Sequence, residues 1–515
     1  MRLNKGHITT DHLLWGIFIA GIAIGLGMQL YFQKFLNIDT LAYINIAELY
    51  ADGNFIHAIN GCWSPLYSWI IAVLLKIGIP ALTTCYILNF AAAAVCFYFL
   101  NRMAKKFLFN HFLYVLFHLY LVFFLLFHSL SALTPDLLST ALGLWLVNTL
   151  MSERFFFEKK ISIEAGIAAG LMYLAKAYNF LFCIALFSLL IFFKLANKKT
   201  RSQCKQLLYS LIVFLGLSLL WIIPISIHER RVTFSTAGVY VHKYVHPLQP
   251  YHPSSSRIVP PPFEGAYSSW TDPVKNLDGY GWSPFENKTY FLHQLDLIRV
   301  SLDSWYNIVD PYWLRSLLLV SCLVILFLKG KEKFKTVLGE MKIPLIVIFL
   351  YPSGYLPIFV LERYILISTI LFHFFLFYVL QEAVNAKQIK YLFGMCAIVS
   401  LFFLPPLARA GKSLLIQRMK DYEGYRAFHK NIYQLDFLKG KRIVADNTCH
   451  LISVQLCYRL KTTFYGIWNG KEVEKAKAYN VEYLLSKNQW REKYLQKVSS
   501  LGLTTDTVYV YRFNY

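Results

Sequence analysis

Acidic side chains are scarce in this sequence: 29 Asp and Glu stand against 51 Lys and Arg in 515 residues, and only 16% of positions are charged. So little charge excludes an ordinary water-soluble protein of this length. The nine cysteines form no Cys-x-x-Cys pair and no zinc-ligand spacing, and Cys85, Cys96, Cys183, Cys322 and Cys396 lie inside apolar runs, where a thiol acts as a small hydrophobe. No repeat of fixed period is visible, which weakens the transporter architectures built on internal symmetry. The one biased tract is the Pro-rich stretch 252–263. What the chain has in excess is apolar surface, with 57% hydrophobic residues and a mean hydropathy of +0.45.

Apolar runs suited to helical spans of about 20 residues fall near 13–33, 82–101, 107–129, 137–151, 162–176, 178–193, 207–227, 311–328, 342–360, 364–381 and 390–408. The first follows Arg2 and Lys5 without a small-residue cleavage site and reads as a retained signal anchor. Residues 62–79 carry Pro65 and Lys76, with Trp63 and Trp69 as interfacial aromatics, and are assigned to a helix lying at the outer surface. The basic clusters then occupy alternate connections: Arg2 and Lys5; Arg102, Lys105 and Lys106; Arg154, Lys159 and Lys160; Lys194 to Lys205; Lys329 to Lys335; Lys387 and Lys390. These connections are cytoplasmic by the positive-inside rule. The net charge of +22 therefore reports topology, and no nucleic acid is expected as partner.

The expected fold is an all-α polytopic membrane protein of about eleven transmembrane helices with a small external C-terminal α/β domain. Residues 1–408 form the membrane part, with external loops 34–80 and 228–310, and residues 409–515 the external domain. In that tail, 442–446, 462–466, 481–486 and 507–513 read as strands between polar helical stretches.

Six segments converge on the outer face, and they bring the chemistry with them. Asp39 stands just past the first span, with Tyr43 and Glu48 following. Asp136 follows Thr134 and Pro135 at a predicted helix start, where capping and the helix dipole would also explain an acid. Lys176 interrupts an apolar run whose Gly166, Ala168, Ala169 and Gly170 permit close helix packing; it is either a snorkelling lysine or a cation for an anionic headgroup. Glu362, Arg363 and Tyr364 open a late span, with Arg363 suited to a phosphate and Glu362 placed to position or simply pair with it. In the long loop, His242 and His246 could share a metal only on a helix, and the alternation over 239–247 reads as a strand, so no metal site is assigned. The loop aromatics suit sugar stacking, an interfacial lid or plain packing. Asn287-Lys288-Thr289 matches a glycosylation sequon, and pairing of Cys449 with Cys457 is left open.

These motifs, taken in order, resemble the GT-C superfamily of membrane glycosyltransferases, in the branch that holds the bacterial protein O-mannosyltransferase-like and lipid A aminoarabinose transferase enzymes. The likeness rests on the acidic first external loop 38–43, on Trp63-Ser64-Pro65-Leu66-Tyr67, on Leu133-Thr134-Pro135-Asp136, on the small-residue run ending at Lys176, and on Glu362-Arg363-Tyr364. It covers roughly the first 380 residues and the idea of an external C-terminal domain. One departure stands out: Thr40 follows Asp39 where relatives often carry a second acid.

The resemblance implies transfer of a sugar from a polyprenyl-phosphate donor to a lipid, glycan or protein acceptor, with inversion, on the external side of a bacterial inner membrane. It implies Lys176 and Arg363 as donor-phosphate ligands, Asp39 as base, Asp136 as orienting partner or alternative base, and Tyr43, Glu362 and Tyr364 as substrate-binding neighbours. No cofactor is named by it, and a divalent metal stays open. Two other readings remain: an O-antigen ligase or polymerase using a diphosphate-linked glycan, for which the loop offers Arg230, Arg231, Arg257 and Arg299, and a multi-pass transporter.

Overall fold

A computed structural model of the chain describes residues 5–31, 36–108, 110–196, 198–249, 251–277, 281–310, 313–383, 412, 423–503 and 506–515. The expected span 390–408, Lys387 and Lys390, and the boundary at 408 and 409 lie outside these residues.

The first elements are α1 (Lys5–Tyr31), α2 (Ile38–Ala51), the single turn α3 (Phe55–Ala58), α4 (Pro65–Lys76) and α5 (Ala81–Phe107). There follow α6 (His111–Ser131), α7 (Asp136–Leu150), α8 (Lys159–Ala175), α9 (Asn179–Leu195) and α10 (Cys204–His228). After a long connection containing α11 (Ala237–Tyr244) come α12 (Lys288–Val309), α13 (Leu314–Leu328), α14 (Lys331–Glu340), α15 (Lys342–Ser353) and α16 (Leu366–Ala383).

Among the described residues five stretches are long and apolar enough to cross a membrane: Thr10–Gln29, Ala81–Phe107, His111–Ser131, Thr200–His228 and Glu362–Ala383. Helices α12 and α13 add a sixth only if counted together across a 77° bend. This makes an integral membrane protein, and the described residues do not confirm a count of about eleven spans. Among the described residues the expected spans that fall short are helices that end early: α7 has 15 residues, α8 and α9 have 17 each and α15 has 12. Helix α15 stops at Ser353 instead of running to 360, with Pro352 in its last turn unable to donate a backbone hydrogen bond.

Contacts between helix ends fix the directions of the bundle. Lys105 at the foot of α5 pairs with Asp11 at the start of α1 at 2.6 Å. Lys106 reaches Glu153 beyond α7 at 3.5 Å, and Lys333 reaches Glu382 at the end of α16 at 3.2 Å. The basic connections thus share one end, and α2 to α4 sit at the other. Helix α4, 12 residues or about 18 Å long, is too short for a bilayer core. Gly166 and Gly170 explain the tight pair α8 and α10: a Cβ on Gly166 would stand 2.5 Å from the Ser210 carbonyl, and one on Gly170 2.7 Å from Leu217 Cβ.

The tail holds a five-stranded sheet: β1 (Arg442–Ala445), β2 (Thr463–Ile467), β3 (Tyr483–Ser486), β4 (Leu495–Gly502) and β5 (Thr507–Phe513), in the order β2-β1-β3-β5-β4. Strand β1 runs parallel to β2 and β3, while β5 is antiparallel to β3 and β4. Helices α17 (His450–Leu460) and α18 (Val473–Ala478) complete the unit. It docks on the end opposite the basic connections, where Ile452, Leu456 and Phe464 join Leu41, Ile44 and Ala47 of α2 in one core. Cys449 and Cys457 are both free and buried, so the pairing left open by the sequence does not occur.

Candidate active site

Helix α2 starts on a built cap. The Asn37 side chain accepts from Thr40 N at 2.7 Å, and this sets Asp39 in the first turn, where the dipole favours an anion. The Thr40 hydroxyl donates to the Leu133 carbonyl at 3.0 Å and so ties α2 to the turn that carries Asp136.

Asp136 opens α7 but does not cap it; both of its oxygens are spent on side chains. Lys176 Nζ meets Oδ1 at 2.5 Å, while the Thr134 hydroxyl donates to Oδ2 at 2.7 Å. Lys176 itself ends α8 in an extended conformation, which turns its ammonium inward over the Tyr364 ring, 4.0 Å from the centroid. Snorkelling does not describe it.

Arg363, in the single turn Glu362–Ile365 that precedes α16, closes the group. Its Nη2 lies 2.7 Å from Asp39 Oδ2 and its Nη1 3.8 Å from Asp136 Oδ2. Four charges from four remote segments therefore form the chain Asp39, Arg363, Asp136, Lys176, balanced in sign. Asp136 is only 7% exposed and Lys176 18%, so each needs the other: a buried charge without its partner is strongly unfavourable.

Two neighbours complete the surroundings of the cluster. Glu362 does not hold Arg363; its Oε1 points instead toward His128 Nε2 at 3.6 Å. Tyr43 lies one turn after Asp39, buried, in edge contact with Trp63 and Tyr67. Burial first, then the Asp136 and Asp39 charges, push its phenol well above the usual range, so it stays protonated.

The long loop is held over this end by groups that sequence reasoning passed over. Asn45 of α2, buried, donates to the Gly265 carbonyl at 3.2 Å and accepts from Tyr267 N at 3.0 Å and from the Thr271 hydroxyl at 2.8 Å. Asn60 bonds the Thr271 carbonyl at 2.6 Å. Tyr267 and Lys461 both engage Glu48, fastening the tail to α2. The stretch read as a strand is the helix α11: Thr236 to Tyr244 winds under the packing of Tyr240 and Tyr244 against loop aromatics, which overrides a β-branched alternation only a few residues long.

His242 and His246 pack on Trp282 and belong to no group of three or more metal-ligating side chains among the described residues. One such group does exist among the described residues: the ligand atoms of His228, Glu229 and Asp272 lie within 4.8 Å of one another. One imidazole and two carboxylates suit a divalent cation. The group sits beside Gly61, where an added Cβ would stand 3.2 Å from Glu229 Oε1, and it shares no ion pair with the Asp39 cluster among the described residues.

No family model matches this sequence, and no curated protein matches it. Solved structures do. The crystal structure of ArnT from Cupriavidus metallidurans bound to undecaprenyl phosphate superposes with TM-score 0.53 at 11% identity, over 96% of this chain and 97% of that one. The apo oligosaccharyltransferase of Archaeoglobus fulgidus gives TM-score 0.52 at 10% identity, over 92% of this chain and 69% of that one. Over nearly its whole length this chain shares the fold of these two structures.

Proposed function

We propose that this chain is a membrane glycosyltransferase that moves a sugar from a polyprenyl-phosphate donor to a hydroxyl of a cell-envelope acceptor. One observation carries the reading: carboxylates and cations from four segments meet in a linked, half-sheltered cluster at one end of a bundle with the GT-C fold. That ArnT was crystallised with undecaprenyl phosphate supports the donor class.

The residues divide the work by their exposure and partners. Asp39 keeps Oδ1 free of protein partners among the described residues while Arg363 holds Oδ2, which leaves an oriented carboxylate able to take a proton. The acceptor oxygen attacks the anomeric carbon, the bond from that carbon to the phosphate oxygen breaks, and the hydroxyl proton passes to Asp39. The polyprenyl phosphate leaves with the bonding pair, and the charge that develops on it falls to Arg363 and Lys176. A single displacement of this kind inverts the anomeric centre. Asp136, buried and fully engaged, serves to orient both cations. With the basic connections cytoplasmic, the cluster faces the external side of a bacterial inner membrane.

The test is transfer of labelled sugar from a short-chain polyprenyl-phosphate donor by purified protein, with a membrane extract as acceptor. Wild type transfers, and folded Asp39→Asn does not. Consumption of a diphosphate-linked glycan in place of every polyprenyl-phosphate sugar would replace this reading with the ligase or polymerase one, and inertness toward all donors would favour the transporter.

A further inference from the structure

Around the charged cluster the aromatic side chains are not scattered. From Tyr43 the contacts run to Trp63, with centroids 5.1 Å apart, and the Trp63 indole donates to the Trp270 carbonyl at 2.9 Å. Trp270 meets Tyr240 edge to face at 5.8 Å, Tyr240 meets Tyr244 at 5.9 Å, and Tyr244 meets Phe359 at 6.1 Å. Phe359 then reaches Tyr364 at 6.0 Å, which lies under Lys176 and beside Arg363. The arc leaves the cluster at Tyr43 and returns to it at Tyr364. Half-buried Tyr240 and Tyr244 stand at its middle, one turn apart on α11.

Phenols elsewhere in the bundle are of two kinds, the unbonded hydroxyls of Tyr50, Tyr67 and Tyr355 and others that are held. Tyr114 bonds Asn101, Tyr173 the Phe234 carbonyl and Tyr351 Asn179. The hydroxyls of Tyr43, Tyr240 and Tyr244 bond no protein group among the described residues. All three nevertheless lie near enough to Asp39 for its charge to help burial raise them, so they are protonated donors beside a carboxylate. Ring faces with adjoining hydroxyls, set around the group that would accept the proton, match a pyranose: apolar C–H faces pack on rings and ring hydroxyls meet phenols.

We propose that Tyr240 and Tyr244, with Tyr43, form the wall that holds the glycosyl ring of the donor beside Asp39. This rests on the glycosyltransferase reading and adds to it the place of the sugar. The lipid phosphate is left to Arg363 and Lys176. The two phenols then contribute to the difference in affinity between glycosylated and bare lipid, and not to the affinity for the bare lipid.

Binding of a short-chain polyprenyl-phosphate sugar and of the same polyprenyl phosphate without sugar is measured on wild type, Tyr240→Phe, Tyr244→Phe and Tyr240→Ala in detergent. Wild type prefers the glycosylated lipid. Each Phe variant, which keeps the ring and the fold, loses roughly tenfold of that preference, the worth of one hydrogen bond at the upper end of its range, with the bare lipid bound as before. A preference unchanged in all three variants, or no preference in wild type, overturns the wall. Preference intact in wild type and lost in the variants, with no sugar transferred to any acceptor, supports the wall and counts against the transferase reading alone.

Discussion

The two ends of the bundle carry the same kinds of charge and use them in opposite ways. At the basic end Lys105 with Asp11 and Lys333 with Glu382 are partly sheltered, but Lys335 with Glu332 stands in water, its side chains 68% and 88% exposed. At the other end Asp39, Arg363, Asp136 and Lys176 share partners and lie largely out of water. A charge with many water ligands loses little when its partner goes; a sheltered one has no replacement. Position in the fold, not the distance between charges, decides what a pair is worth.

The widest gap between the ends is in chemistry. Asp39→Asn keeps the size of the side chain and one oxygen toward Arg363 but removes the proton acceptor, and should lower transfer about 10²- to 10⁴-fold with the unfolding midpoint nearly unchanged. Equal losses in rate and stability would make Asp39 a structural anchor. Next comes stability itself. Lys176→Met leaves Asp136 buried without its ammonium and should cost about 3–5 kcal/mol, and adding Asp136→Leu should return part of that loss. Thermal unfolding in detergent of the single and double variants decides it, and additive losses would break the comparison.

The loop that covers the site end adds a dependence on pH. His252 is buried, its Nδ1 accepting from Ser254 N at 3.1 Å and its Nε2 donating to the Pro273 carbonyl at 3.2 Å. Burial pulls its pKa down from 6.5 to about 4. The unfolded chain therefore takes up this proton first as pH falls: the stability is whole above about 6.5, declines toward 4 and is lost below it, about 3 kcal/mol in all. Unfolding midpoints against pH should show this slope in wild type and a shallower one in His252→Gln.

Packing separates positions even within one helix pair. Gly166→Ala drives a methyl to 2.5 Å from the Ser210 carbonyl and should cost about 1–3 kcal/mol, whereas nothing lies within 4 Å of a Cβ on Gly216, where Ala should be neutral or stabilising by up to about 1 kcal/mol. Opposite signs in the two unfolding midpoints are the expected result.

How much of this was legible beforehand depended on range. Asp39, Asp136, Lys176 and Arg363 were found because a charge at the end of an apolar run is costly and stands out. Their pairing was not found, since nothing local says that Arg363 reaches across 324 positions to Asp39 and ignores adjacent Glu362. Asn45 gave no signal either; its value lies in bonds to residues 265–271. Four strands of the tail were readable by their β-branched and aromatic runs. Strand β4, Leu-Gln-Lys-Val-Ser-Ser-Leu-Gly on the sheet edge, was not, because an edge needs little apolar alternation. Helix α11 misled for the opposite reason, as eight residues fit either period.

The smallest effect is the control on which the comparison depends. Lys335 and Glu332 pair at 2.9 Å, about as close as Arg363 and Asp39 at 2.7 Å, so distance alone would rank them nearly equal. Both side chains of the first pair stand in water three residues apart on α14, where screening and side-chain entropy offset most of the attraction. Lys335→Ala should therefore shift stability by less than about 1 kcal/mol and leave transfer unchanged, and the shift should vanish in high salt. A loss comparable to that of Lys176→Met would mean that the basic end is also sheltered, by lipid headgroups that replace water around these lysines, and the contrast between the two ends would then belong to the membrane rather than to the fold.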